Sequence, residues 1–66
     1  MKFAERLKQL MKDADISQET LAQAIGYTQR AVSKWLNAQS EPSATAVALC
    51  AQYFDVSADY LLGLED

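Results

Sequence analysis

The chain has 66 residues, half of them hydrophobic, with nine Asp or Glu against six Lys or Arg for a net charge of −3, a single Cys and no His. That size allows one domain with one core, near the lower range at which a chain folds without staples; one Cys forms no intrachain disulfide, and without His there is no zinc finger, Cys–His nucleophile or histidine pH switch. No stretch is long and apolar enough to span a membrane, and the opening MKFAERLKQL is an amphipathic helix with charges inside it rather than an export signal, so a cytoplasmic location is the default expectation.

In the first predicted helix, Phe3, Leu7, Leu10, Met11 and Ala14 recur at steps of three and four and form an apolar stripe expected to face the core. Ser17 starts the second helix. Its hydroxyl can cap, Ile16 and Leu21 stand at the positions of a hydrophobic staple, and Glu19 suits the positive helix end. Gly26 stops it, because a glycine directly after Leu21, Ala22 and Ile25 can turn left-handed without steric cost. Thr28 then caps a third helix at once, with Tyr27 and Val32 as its staple. Two helices joined across about three residues have the shape of a helix-turn-helix, and the methyl group of Ala22 is what so tight a crossing admits.

The third helix divides its faces. At ~100° per residue, Gln29, Arg30, Ser33, Lys34 and Asn37 share an arc of roughly 140°, and Ala31, Val32, Trp35 and Leu36 fill the opposite arc, which is expected in the core. The first arc carries hydrogen-bonding groups and no carboxylate, which suits a DNA major groove lined by base edges and flanked by phosphates. A polar face alone is ordinarily a solvated surface. The capped helix pair in front of it, at this spacing, is what makes DNA contact the expectation.

Ser43 begins the fourth helix, flanked by Pro42 and Val47 in the staple positions, with Val47, Cys50, Ala51 and Phe54 as the expected buried face. Cys50 is expected there as an inert core thiol. Val56, Ser57 and Leu61 repeat staple and cap for a fifth helix, and Gly63 can end it after Leu62. No strand-like alternation, repeat or linker interrupts the chain, so residues 1–66 are expected to form one all-α domain of five short helices.

Charge is unevenly spread. All six cations (Lys2, Arg6, Lys8, Lys12, Arg30 and Lys34) precede residue 35 with only four acids among them, whereas the remainder holds Glu41, Asp55, Asp59, Glu65 and Asp66 and no cation. A basic end facing phosphate and an acidic end turned away is the functional reading of that asymmetry.

From Arg6 to Gly63 the chain resembles the small helical domain of phage repressors and Cro proteins, the Xre family, in its SQETLAQAIG, VSKW, EPS and VSADYLLG segments. The resemblance implies a compact five-helix lambda-repressor-like fold and a homodimer that binds a palindromic double-stranded DNA operator through the third helix, Thr28–Asn37. Carried over by position, base-contacting roles fall on Gln29, Arg30, Ser33 and Lys34, and phosphate-contacting roles on Gln18, Thr28 and Asn37. The dimer contact falls at the C-terminal end, where Tyr60, Leu61, Leu62 and Leu64 are too many apolar groups for one short helix to turn inward. Tyr60, Leu61 and Leu64 are the expected contact residues, with Tyr60 as the exposed anchor because Leu61 serves the staple. Asp59, Glu65 and Asp66 would bring like charges together, so the dimer is expected to be weak in isolation and to tighten with salt.

Two departures from the family stand out. Many relatives place a buried Arg and Glu at the positions of Met11 and Leu36; apolar groups there are often neutral or stabilising, since the desolvation cost goes with the attraction. Many also carry cations between the third and fourth helices, but Asn37–Ser43 (NAQSEPS) has none, so modest affinity and a shallow salt dependence are expected. No catalytic residue, metal or cofactor is expected, given no His, no metal-ligand cluster and no phosphate-cradling glycine loop. The alternative to DNA binding is a protein-interaction module, such as an antitoxin or a repressor-neutralising protein, which the acidic C-terminal part and the cation-free loop favour. The chain reads equally as a whole small regulator or as the DNA-binding end of a larger one.

Overall fold

A computed structural model describes residues 2–65; Met1 and Asp66, the latter counted among the acids of the C-terminal end, lie outside them. Five helices follow in chain order: α1 (Phe3–Ala14), α2 (Gln18–Ile25), α3 (Gln29–Leu36), α4 (Ala44–Phe54) and α5 (Ala58–Leu62), with no strand among the described residues.

Three of the four links are three residues long and share one construction: Asp15-Ile16-Ser17, Gly26-Tyr27-Thr28 and Asp55-Val56-Ser57. The first residue of each is left-handed, at φ 56°, 78° and 57° respectively. The N–H of the second donates back to a helix-end carbonyl, Ile16 to Met11 at 3.1 Å, Tyr27 to Ala22 at 2.9 Å and Val56 to Ala51 at 3.0 Å. Its side chain packs against the core. The third caps the next helix, Ser17 accepting from Thr20 N–H, Thr28 from Ala31 and Ser57 from Tyr60. One apolar residue thus serves the helix that ends and the helix that begins, since the last residue of a left-handed stop is also the staple residue of the following cap.

The remaining link, between α3 and α4, begins with the same stop. Ala38 sits at φ 56°, its N–H donates to the Trp35 carbonyl at 3.1 Å, and the Gln39 N–H donates to Lys34 at 2.8 Å. Ser43 then caps α4 by accepting from Ala46.

Packing joins α2 to α3, α1 to α3 and to α5, and α4 to α2 and to α5. Phe3, Leu7 and Met11 of α1 meet the buried faces of the other helices in a single core, and no polar or charged side chain is buried among the described residues. Within it Trp35 lies edge-on to Phe3 at 6.2 Å and to Tyr27 at 5.2 Å between ring centroids. Met11 and Leu36 are both core residues, as their apolar character requires.

Some expectations from the sequence change. Ala14 is exposed, because it is the last residue of α1 and the chain turns away beyond it. Leu10 and Ala31 are half-buried, at the edges of the apolar arcs of α1 and α3. In α4 the buried arc is rotated toward Ala46, which is fully covered, and Phe54 is half-buried with its ring edge-on to Tyr53 at 5.0 Å. Leu61, expected at a dimer surface, is 0% exposed; the staple turns it into the core, and it offers a second copy no surface.

Two sets of measurements test this construction. Ala22 is 2% exposed on the α2 face that meets α3, so Ala22→Leu should lower stability by about 1–3 kcal/mol through overpacking. Gly26→Val should cost at least about 1–2 kcal/mol for its left-handed backbone alone, since a Cβ there meets nothing within 4 Å. Ala38→Gly should act in the opposite direction by about 0.5–1 kcal/mol, the relief of a left-handed Ala less the added freedom of the unfolded chain. Thermal melts of the three variants read these signs directly. Burial pushes the Cys50 thiol from its ordinary 9.0 up to about 11. The unfolded chain therefore loses this proton first as pH rises, so the thiol's contribution to stability is complete below about pH 9 and is lost between about 9 and 11. A Cys50→Ala variant, though less stable throughout, should lose less stability over that interval than the wild type.

Candidate nucleic-acid interface

The outward arc of α3 is held by what lies behind it. Val32, Trp35 and Leu36 are buried, Ala22 lets α2 approach closely, and Trp35 is wedged between Phe3 and Tyr27. The Tyr27 hydroxyl also lies 3.2 Å from Ser43 Oγ, joining the turn to the start of α4. A rigid back is what lets polar side chains on the front keep a fixed spacing.

On that front an open groove of about 500 Å³ is lined by Gln18, Gln29, Arg30, Ser33, Lys34 and Gln39. It gathers five of the seven residues expected to contact DNA. Gln18 comes from the first turn of α2, where unpaired backbone N–H groups and the helix dipole favour an anion. Gln29, Arg30 and Lys34 are exposed and Ser33 is half-buried. Two cations and four neutral hydrogen-bonding groups line the groove, and no carboxylate does.

Thr28 and Asn37 stand at the two ends of α3, outside the groove lining. The Thr28 hydroxyl accepts the Ala31 N–H at 3.1 Å, and its own proton is left to donate outward. Asn37 Nδ2 donates to Ser33 Oγ at 3.4 Å, tying the end of the helix to the middle of the polar arc. Gln39 is the lining residue that sequence reasoning missed. Nothing in NAQSEPS marks it; the left-handed turn at Ala38 and the Gln39–Lys34 backbone bond bring it back beside Lys34.

A second, smaller cleft of about 140 Å³ lies between the start of α1 and the α3–α4 link, lined by Phe3, Ala4, Trp35, Ala38, Ser40, Glu41 and Pro42. The described residues contain no cluster of potential metal ligands, and no helix among them is long and apolar enough to cross a membrane. At the other end of the molecule Tyr60, expected as the exposed anchor, is instead half-buried: Arg6 of α1 clasps it, with its guanidinium carbon 4.3 Å from the ring centroid and its Nη1 donating to the Tyr60 carbonyl at 2.7 Å and to the Glu65 carbonyl, while Leu64 is 73% exposed.

Two short capped helices crossing at an alanine, with an acid-free polar groove on the second, define a helix-turn-helix domain. The chain belongs to the Xre-type helix-turn-helix family, whose helix-turn-helix (HTH_3) family model matches residues 7–61. It is 32% identical over 66 residues to the HTH-type transcriptional activator BcrR of Enterococcus faecalis, and 33% identical over 64 residues to the uncharacterized HTH-type transcriptional regulator YobD of Bacillus subtilis strain 168. These alignments cover 100% and 97% of this chain but only 32% and 57% of those proteins, so the chain spans just under a third of one and just over half of the other. In three dimensions it is similar to the P22 c2 repressor in complex with synthetic operator 9T, with a TM-score of 0.85 at 27% identity over 89% of each chain. The solution structure of the DNA-binding domain of the same repressor gives 0.84 at 28% identity over 91% of this chain and 79% of that one. These matches place the five helices in the phage-repressor fold, and the family is one of DNA-binding regulators, not enzymes.

Proposed function

We propose that this chain binds double-stranded DNA sequence-specifically as a transcription regulator, of the repressor kind, with α3 and its flanking residues Thr28 and Asn37 reading the major groove. The observation that carries the reading is the acid-free groove that brings Gln18, Gln29, Arg30, Ser33 and Lys34 onto one surface. The similarity to a repressor in complex with its operator supports it. Arg30 and Lys34 have the donors to meet guanine O6 and N7, Gln29 has the paired donor and acceptor that match adenine N6 and N7, and Ser33 suits either base edge. Gln18, Thr28 and Asn37 would hold phosphate oxygens around that contact, fixing the register without reading sequence. Gln39, beside Lys34, extends the same surface.

The regulator works in the cytoplasm on a palindromic operator as a homodimer that is weak in isolation, its two α3 helices about one DNA turn, roughly 34–36 Å, apart. Leu64 supplies the contact, with the half-buried Tyr60 beside it. No cofactor takes part.

Arg30→Ala and Gln29→Ala should each weaken binding to a selected site by about 1–3 kcal/mol and relax base preference, with unchanged melting because both side chains are exposed. Selection of bound sequences supplies the site, and binding titrations across a salt series supply the slope. The two groove cations of each protomer should contribute about 1.8 to that slope, and Lys34→Gln should remove about half of this contribution. Absence of binding to random duplex at low salt would make the chain a protein-interaction module instead.

A further inference from the structure

The smaller cleft, between the start of α1 and the α3–α4 link, shares a wall with the DNA groove. Phe3 and Trp35, edge-on to each other, give it aromatic surface, and Ala4 and Pro42 add aliphatic surface. Its polar atoms come from Ser40 and Glu41, both exposed, and Glu41 is the only charged residue in the lining. The link holds no cation to neutralise that carboxylate, and Glu5 in the first turn of α1 offsets the positive helix end nearby. At about 140 Å³ the cleft is well below the ~300–1,000 Å³ of sites for drug-sized ligands, so its occupant is short. A mostly apolar lining with one carboxylate suits a compact cation on an aliphatic stem. The stem covers the rings and Pro42, while the ammonium pairs with Glu41 and donates to Ser40 Oγ.

We propose that this cleft is an effector site for a primary ammonium on a short aliphatic stem, and that its occupancy is felt in the DNA groove. The site stands apart from the DNA reading; its effect on the groove rests on that reading. Two backbone hydrogen bonds carry the coupling. Ala38 N–H donates to the Trp35 carbonyl at 3.1 Å, and both residues line the cleft. Gln39 N–H donates to the Lys34 carbonyl at 2.8 Å, and both residues line the groove. Cleft and groove residues thus alternate along the same two stretches of backbone, and a ligand that braces Trp35 and Ala38 also braces Lys34 and Gln39. Order imposed by one ligand need not be imposed again by the other, so amine and DNA favour each other's binding.

Trp35 is the chain's only tryptophan, so its fluorescence reports occupancy of the cleft directly. Titration with n-butylammonium chloride, against sodium chloride at equal ionic strength, should saturate with a Kd of about 1–10 mM, as so small a ligand allows. n-Butanol, the same stem without the charge, should bind about threefold more weakly, the scale of one exposed ion pair. Glu41→Gln should weaken the amine by the same factor of about three and leave n-butanol unchanged. Ala4→Leu, which fills the cleft, should abolish both; if thermal melting shows that it does not fold, Glu41→Gln decides. N-acetyl-lysine methylamide separates the two sources of this chemistry: binding tighter than that of n-butylammonium assigns the site to a partner's lysine side chain, weaker binding to a free amine. At saturating amine the wild type should bind a selected duplex about fivefold more tightly, and Glu41→Gln should gain less at the same amine concentration. A Trp35 signal that does not saturate, or equal affinity for amine and n-butanol, would overturn the site. Saturable amine binding with unchanged DNA affinity would overturn its effector role. A chain that binds the amine but no duplex under any condition would overturn the DNA reading and leave the site standing.

Discussion

The closure of helix ends is the constraint on which this fold depends. No helix is longer than 12 residues, α2 and α3 have eight each, and isolated helices of such length do not persist in water. The first four N–H and last four carbonyl groups of a helix lack partners within it, so in an eight-residue helix every residue has one backbone group to satisfy elsewhere. The three-residue links answer this with a left-handed residue that returns N–H groups to the outgoing carbonyls, an apolar residue in the core, and a hydroxyl that accepts from the incoming helix. Hydrogen-bond satisfaction and hydrophobic burial fall on the same few residues. Loss of one link therefore loosens two helices and the packing between them.

That construction also sets the geometry of the groove. A link of three residues leaves α2 and α3 little freedom in crossing angle, and Ala22 sets how closely they approach. Tyr27, the apolar residue of this link, packs edge-on to Trp35 and reaches Ser43, so one side chain braces the turn, the back of α3 and the start of α4. The spacing between Gln18 on α2 and the polar arc of α3 follows from this bracing. The α3–α4 link keeps the left-handed stop but is longer, and the residue after that stop, Gln39, returns to the groove instead of entering the core.

Local chemistry was legible in the sequence wherever a residue type announces its role. Ser17, Thr28, Ser43 and Ser57 cap as their hydroxyls suggest, and Gly26 and Gly63 turn left-handed as glycines after apolar runs do. Asp15, Ala38 and Asp55 adopt the same conformation without that mark. Asp tolerates it through its short polar side chain, and Ala38 carries a strain that only the surrounding structure reveals. The polar arc of α3 could be read because helical spacing alone fixes it. Gln39 could not, because its place depends on the turn before it, and neither could the Arg6 clasp, whose partners lie 54 and 59 positions away. The expectation that Leu61 would face a partner failed for a related reason. Counting apolar residues on a short helix says that some are in excess, and only packing says which.

The distribution of cations then bears on how the proposed regulator would reach useful affinity. Arg30 and Lys34 line the groove, whereas Arg6 is engaged with α5, and the α3–α4 link adds no positive charge. A contact with two groove cations gains little from counterion release, which dominates nonspecific attraction to DNA. On the proposed reading its discrimination would rest instead on hydrogen bonds from Gln29, Ser33 and the guanidinium of Arg30, which act only at short range and in register. Under the dimer reading, pairing two such surfaces makes the second contact intramolecular, multiplying affinity at a palindrome while leaving isolated half-sites weakly held. On that reading a modestly charged groove and a weak self-contact would act in the same direction. Each would be too weak alone to hold the protein on the wrong sequence, and the correct one would recruit both.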